Sequence, residues 1–177
     1  LIKKKLDKYK FKKNWNIKYL DTGLNTMTGG RVKRTINLLK NENIFCLSYG
    51  DGLSDVNIKN LIKFHKKNKK MATLTAVKYK NPKGVLSISA KSEIRLIKEK
   101  PTEYINGGFF VLSKKIFKFL KNDKSIFEKD CLPKLSKMKQ LMAYKHKGFW
   151  ACMDTIREKK ELNKIWKSKE KAWKIWI

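Results

Sequence analysis

The chain has 177 residues, with 44 Lys and Arg against 15 Asp and Glu, for a formal net charge of +29. With 41% hydrophobic and 33% charged residues, it is long and apolar enough for one domain with a real core, and its composition excludes a disordered polymer. No run of about 18 apolar residues is present to span a bilayer, and the opening Leu1-Ile2-Lys3-Lys4-Lys5 does not read as a signal peptide.

In chain order, residues 1–14 are Lys-rich and are expected to be a poorly anchored start. Trp15–Leu20 alternates loosely and reads as a strand, ended by Asp21-Thr22-Gly23. Thr28 and Gly29-Gly30 precede a helical stretch near 31–40, with Val32, Ile36 and Leu39 on one face. Ile44–Ser48 is continuously apolar, as strands buried on both faces of a parallel sheet are. Asn57 can cap a helix that puts Ile58, Leu61, Ile62 and His65 on one side. Ala72–Val77 is a strand, Pro82 and Gly84 make a turn, and Val85–Ile88 with Ile94–Ile97 form a hairpin-like pair. Gly107–Leu112 is a strand with a helix after Ser113, and Leu141–Tyr144 is a short strand. Thr155-x-x-Glu158 is a capping box opening a helix through Trp166. The alternation of strand and helix predicts an α/β fold with a Rossmann-like, mainly parallel sheet.

The positive charge raises a nucleic-acid reading. Only Arg31, Arg34, Arg95 and Arg157 are arginine, however, and the lysines are spread along the whole chain. Forked recognition of phosphates and bases uses clustered Arg, so a solvated surface is expected and a nucleic-acid partner is not. Cys46, Cys131 and Cys152 are odd in number and form no C-x-x-C, which suits reduced, partly buried thiols in a cytoplasmic protein.

Chemistry in an open α/β sheet gathers beyond the carboxyl ends of strands. Asp51 stands there between Gly50 and Gly52, after the apolar Ile44–Leu47. It is either a hard oxygen ligand for Mg²⁺ or part of an Asp-Gly turn. Asp154 is a second carboxylate, whose plainer reading is an acidic residue favoured beside a helix N-terminus. Glu99-Lys100-Pro101 follows an apolar strand, and Lys100 is a point charge able to anchor a phosphate. Asn106-Gly107-Gly108 could offer an amide and bare backbone to sugar hydroxyls, or be a loop before a strand. Thr28-Gly29-Gly30-Arg31 could present helix-start N–H groups to an anion. His65 and His146 lack metal-ligand spacing and read as structural or surface residues.

Taken together and in order, D-T-G-x-x-T-M-T-G-G-R, Y-G-D-G, A-T-L-T-A, E-K-P, I-N-G-G-F-F-V-L, G-F-W-x-x-M-D-T and the closing W-K-x-W resemble the glucose-1-phosphate cytidylyltransferase family of sugar nucleotidyltransferases. The resemblance runs from Trp15 almost to the end and implies the nucleotide-diphospho-sugar transferase type of fold, with residues 15–177 as a partial nucleotidyltransferase domain. It implies an enzyme joining CTP and glucose 1-phosphate into CDP-glucose and pyrophosphate with Mg²⁺, for dideoxysugars of surface polysaccharide, and a full-length homo-oligomer. By matching motif, Asp51 and Asp154 would hold Mg²⁺, and Thr26, Arg31 and Gly50 would contact the nucleotide. Lys100 would bind the sugar phosphate, with Glu99, Asn106 and Gly107 at the sugar. Transferases for UTP or dTTP share Gly-Asp-Gly and Glu-Lys-Pro and stay open as alternatives, as do a non-catalytic basic nucleic-acid-binding module and an inactive remnant. The family's first strand and its G-G-x-G-T-R loop do not precede Trp15. The N-terminal third is therefore expected to be absent, leaving an exposed sheet edge and a chain inactive alone.

Overall fold

The computed structural model describes residues 15–39, 41–81, 83–168 and 172–175. The Lys-rich start over 1–14, Pro82 and Trp176 lie outside the described residues. A four-stranded sheet in the order β1-β6-β3-β7 forms the centre, from β1 (Ile44–Ser48), β3 (Ala72–Lys80), β6 (Thr102–Ser113) and β7 (Leu141–His146). β6 is antiparallel to both β1 and β3, while β3 and β7 are parallel. Three of the four strands therefore share one direction and β6 opposes them, so the sheet is mixed. Two small ladders complete the strands: β2 (Gly52–Ser54) with β8 (Trp150–Cys152), and the hairpin β4 (Val85–Ile88) with β5 (Ile94–Lys98).

One face of the sheet carries the main core. Ala72 from β3 and Phe110 and Leu112 from β6 pack there against Ile116 and Phe117 of a 3₁₀ turn (Lys114–Phe119). Phe127 and Cys131 of a π-turn (Phe127–Cys131) and Leu132 and Leu135 of α3 (Leu132–Lys137) close it. Phe110 and Phe127 meet edge to face at 5.5 Å, a geometry their quadrupoles favour. Because strand side chains alternate, Thr73 points to the other face, where His65 Nδ1 lies 2.9 Å from its Oγ1. That histidine belongs to α2 (Ile58–Asn68), capped by the Asn57 side chain accepting from Asn60 N at 3.0 Å. His65 is buried and structural, and burial lowers its pKa.

Two predicted elements differ. Residues 15–20 form no strand, and Trp15 and Leu20 are exposed. An alternating pattern becomes a strand only where a neighbouring edge accepts its backbone, and no such edge meets this segment among the described residues. β1, expected to be buried on both faces, alternates instead: Cys46 and Ser48 are exposed while Phe45 and Leu47 turn inward. It is an edge strand among the described residues, paired only with β6. The predicted helix near 31–40 begins earlier, as α1 (Thr28–Arg34), and gives way to a 3₁₀ turn over Ile36–Leu39.

Candidate active site

The β2–β8 ladder brings the two candidate carboxylates to one place. Gly52 pairs with Cys152 and Ser54 with Trp150, so Asp51, just before β2, and Asp154, just after β8, sit at the same end. Both line a cleft of about 290 Å³ that Asn106 and Gly107 also line. The register depends on the turn before β8. Ser54 Oγ donates to Phe149 O at 2.8 Å, Asp55 N donates to the same carbonyl at 3.2 Å, and His146 Nε2 lies 2.8 Å from Asp55 Oδ1. A Cβ on Gly148 would come within 2.4 Å of that carboxylate, so a side chain there would displace Asp55 from His146.

The floor of the cleft is a bulge in β6. Leu74 pairs with Phe110, but Ala76 pairs with Asn106, so residues 107–109 stand opposite Thr75 alone. Gly108 takes φ +78°, and the Tyr49 ring lies 2.9 Å from where its Cβ would be. Gly107 is equally constrained: a Cβ would meet Val77 Cγ1 at 3.0 Å and Thr75 O at 3.1 Å. The Trp150 indole donates to Gly107 O at 2.8 Å. In Asn-Gly-Gly, then, the glycines build the bulge, and the asparagine is delivered to the cleft. Thr75 Oγ1, opposite the bulge, is buried without a hydrogen-bond partner among the described residues.

Asp154 stands at the start of α4 (Ile156–Lys167). The capping box is present: Glu158 N donates to Thr155 Oγ1 at 3.2 Å, and the Glu158 carboxylate accepts from Thr155 N at 2.8 Å and Asp154 N at 2.9 Å. Those donors, the Thr155 N–H foremost, hold the Glu158 pKa below its ordinary value. Ligand atoms of Cys152, Asp154 and Glu158 lie within 4.8 Å of one another. Burial pushes the Cys152 thiol up to about 11, and a soft sulfur suits a hard cation less well than carboxylate oxygen does. With Glu158 held by the cap, the donors that suit a hard cation are the carboxylates of Asp154 and Asp51.

The other expected residues lie elsewhere. Gly50 adjoins the cleft, and a side chain there would meet nothing within 4 Å. No packing demand therefore explains this glycine. Thr26 is buried before α1. Arg31 donates to Thr22 Oγ1 at 2.5 Å and Leu24 O at 3.1 Å, beside a separate groove along β1. Glu99 and Lys100 form an exposed corner between β5 and β6, outside the cleft lining, with Nζ 4.0 Å from Glu99 Oε1. Lys100 has φ +42°, a strained conformation for a side-chain-bearing residue. The Thr28-Gly29-Gly30 helix start is used for packing: Gly30 N donates to Ser125 O at 3.1 Å, and a Cβ on Gly30 would lie 2.6 Å from Asp123 backbone. Tyr49, Trp150 and Glu158 were not foreseen as site residues. Only the capping spacing Thr155-x-x-Glu158 announced one of them.

The Nucleotidyl transferase family matches residues 2–167. The chain is 42% identical over 165 residues to the glucose-1-phosphate cytidylyltransferases of Salmonella typhi and Salmonella typhimurium, covering 92% of this chain and 64% of each relative. It thus spans about two thirds, strictly 64%, of their length. The crystal structure of HddC from Yersinia pseudotuberculosis superposes with a TM-score of 0.60 at 24% identity, over 80% of this chain and 63% of that one. At that identity the likeness speaks for the fold alone. The family match runs over nearly the whole chain, through both carboxylates and the Asn106 bulge, and by it the protein belongs to the nucleotidyl transferase family.

Proposed function

We propose that the protein transfers a cytidylyl group from CTP to glucose 1-phosphate, giving CDP-glucose and pyrophosphate, in the cytoplasm and in service of dideoxysugar-containing surface polysaccharide. The observation that carries this is the β2–β8 register, which sets Asp51 and Asp154 at one end of a cleft floored by Asn106. The 42% identity to relatives named for this reaction supports the choice of base and sugar.

The two carboxylates fit Mg²⁺ by their chemistry, and Mg²⁺ held there would neutralise phosphate charge. Transfer needs the sugar phosphate oxygen in line with the α-phosphorus while pyrophosphate leaves, which is a matter of positioning and charge. No protein nucleophile is required. Asn106 directs its amide to the sugar hydroxyls, Gly107 supports the floor, and Glu99 serves the sugar from the corner outside the cleft. Lys100 is the cation for the sugar phosphate. It has one acidic neighbour 4.0 Å away and an exposed side chain, so it is available to a ligand. The cleft lining reaches Tyr79, which pairs with Glu103, and so runs towards that corner. Thr26, Arg31 and Gly50 serve the nucleotide. Among the described residues no helix is long and apolar enough to cross a membrane. A homo-oligomer is part of the proposal.

The test is pyrophosphate release by the gene's full product with glucose 1-phosphate and each of CTP, UTP, dTTP and GTP. The expected result is turnover with CTP at least about tenfold faster than with the others, a transition-state difference of about 1.4 kcal/mol. Faster turnover with UTP or dTTP would move the assignment to another sugar nucleotidyltransferase. DNA binding that survives loss of Asp51 and Asp154 would favour the basic module.

A further inference from the structure

We propose that Glu128 is a positioning residue: its carboxylate sets the direction of a hydrogen-bond chain through Tyr49 and so fixes which edge of the Asn106 amide faces the cleft. The inference rests on the sugar-binding role proposed for Asn106.

Glu128 lies in the π-turn that packs Phe127 into the core. Its Oε2 accepts from Thr28 Oγ1 at 2.7 Å, and its Oε1 accepts from the Tyr49 hydroxyl. Thr28 Oγ1 itself accepts from Phe127 N at 3.0 Å, so its single proton is the one given to Glu128. A carboxylate only accepts, and a phenol has one proton. Tyr49 therefore commits its proton to Glu128 and leaves its oxygen as an acceptor. Asn106 Nδ2, 3.3 Å away, is the donor that fills it. At the other end of the same amide, Asn106 Oδ1 accepts from Gly108 N at 3.0 Å. Both contacts demand the same orientation, with one N–H and one lone pair of the amide left over for a ligand.

The Glu128 carboxylate supplies the acceptor that keeps the Tyr49 proton turned away from Asn106. The ring is held in place as well. It packs edge-on against Phe110 at 5.5 Å and over the glycine at 108. Glutamine at 128 would reverse the logic. Its NH₂ can donate to Tyr49, the phenol can then donate to Asn106 Oδ1, and the amide turns over at the cost of the Gly108 bond.

The test compares Glu128→Gln, Tyr49→Phe and the double variant of this chain. In the ligand-free protein, NMR of the Asn106 side-chain amide is expected to shift in Glu128→Gln. Calorimetric titration with glucose 1-phosphate and Mg²⁺ is expected to show about tenfold weaker binding for each single variant, with Tm little changed. The double variant should be no weaker than Tyr49→Phe, because both act through one chain. Unmoved Asn106 signals, or a lowered Tm with unchanged affinity, would overturn the proposal and leave Glu128 a packing residue. If the unsubstituted chain does not bind glucose 1-phosphate, the sugar-binding role of Asn106 in this chain fails, and the Asn106 signals still decide the direction of the hydrogen-bond chain.

Discussion

The Asn106 side of the cleft and the Glu99–Lys100 corner are built differently. Around Asn106 the polar groups interlock: the amide bonds Tyr49 and Gly108, the Gly107 carbonyl takes the Trp150 indole, and Tyr49 reaches Glu128. At the corner, Glu99 and Lys100 are exposed and share one contact of 4.0 Å. The hairpin leading to it shows apolar side chains to solvent along both strands, including Ile88, Ile94 and Ile97. A two-stranded ribbon has too little burial to be rigid by itself. The difference teaches where precision and adaptability lie: one side presents a fixed amide, and the other a cation on a yielding corner.

Substitutions can break this comparison, since stability effects should fall from the packed side to the corner while ligand effects need not. The largest effect is expected for Gly30→Ala. Its methyl would meet Asp123 backbone at 2.6 Å, and backbone cannot swing aside. A loss of roughly 3 kcal/mol is expected in denaturant melts. Trp150→Phe keeps an aromatic ring, though a smaller one, and removes the donor to Gly107 O; about 1 kcal/mol should be lost with that bond, together with weaker glucose 1-phosphate binding. An unchanged affinity there would show that the bulge does not need its indole clamp.

The cap of α4 gives a pH prediction. The Glu158 pKa is depressed, chiefly by the Thr155 N–H, from an ordinary 4.5. The stabilisation it brings is fully present above that value and is lost as pH falls through the lower folded-state pKa. The exchange protection of the Thr155 and Asp154 amides, corrected for the intrinsic pH dependence of exchange, should therefore fall on acidification, and Glu158→Gln should lower it already at neutral pH. Protection that ignores pH would contradict the cap. Smallest in stability is Lys100→Gly. It relieves a φ of +42°, so Tm should hold or rise slightly, yet glucose 1-phosphate should bind about tenfold more weakly, the worth of one charge-assisted contact. A fall in Tm with unchanged affinity would remove Lys100 from the site.

Much of the fold was legible because its signals are local. The Asn57 cap, the Thr155–Glu158 capping box, the Val85–Ile88 and Ile94–Lys98 hairpin and the apolar run at 44–48 are each written within a dozen residues or so. Asp51 was legible as a candidate because it follows the apolar Ile44–Leu47 between two glycines, and Asp154 as a carboxylate beside a helix start that the family resemblance paired with Asp51. The remainder depends on long-range contacts. Glu128 meets Tyr49 and Thr28 from 79 and 100 residues away, and no spacing rule links them. Trp150 and Gly107 are 43 apart. The glycines at 29 and 30 read as an anion cradle because a helix start offers N–H groups. The close passage of residues 123–125, which gives them a packing task, has no trace in the nearby sequence. Trp15–Leu20 failed as a strand for the converse reason: its alternation was local, but the pairing that would realise it is not.

The central claim is that Asp51 and Asp154 form one divalent-cation site at the end of the β2–β8 ladder. The most direct measurement is Mn²⁺ binding to this chain by electron paramagnetic resonance, for the unsubstituted protein and for Asp51→Asn, Asp154→Asn and the double variant. The account predicts one Mn²⁺ per chain, displaced by Mg²⁺, with either single substitution weakening it at least about tenfold and the double variant adding little further loss. Mn²⁺ binding that neither substitution alters, or two losses that simply add as independent sites, would contradict it.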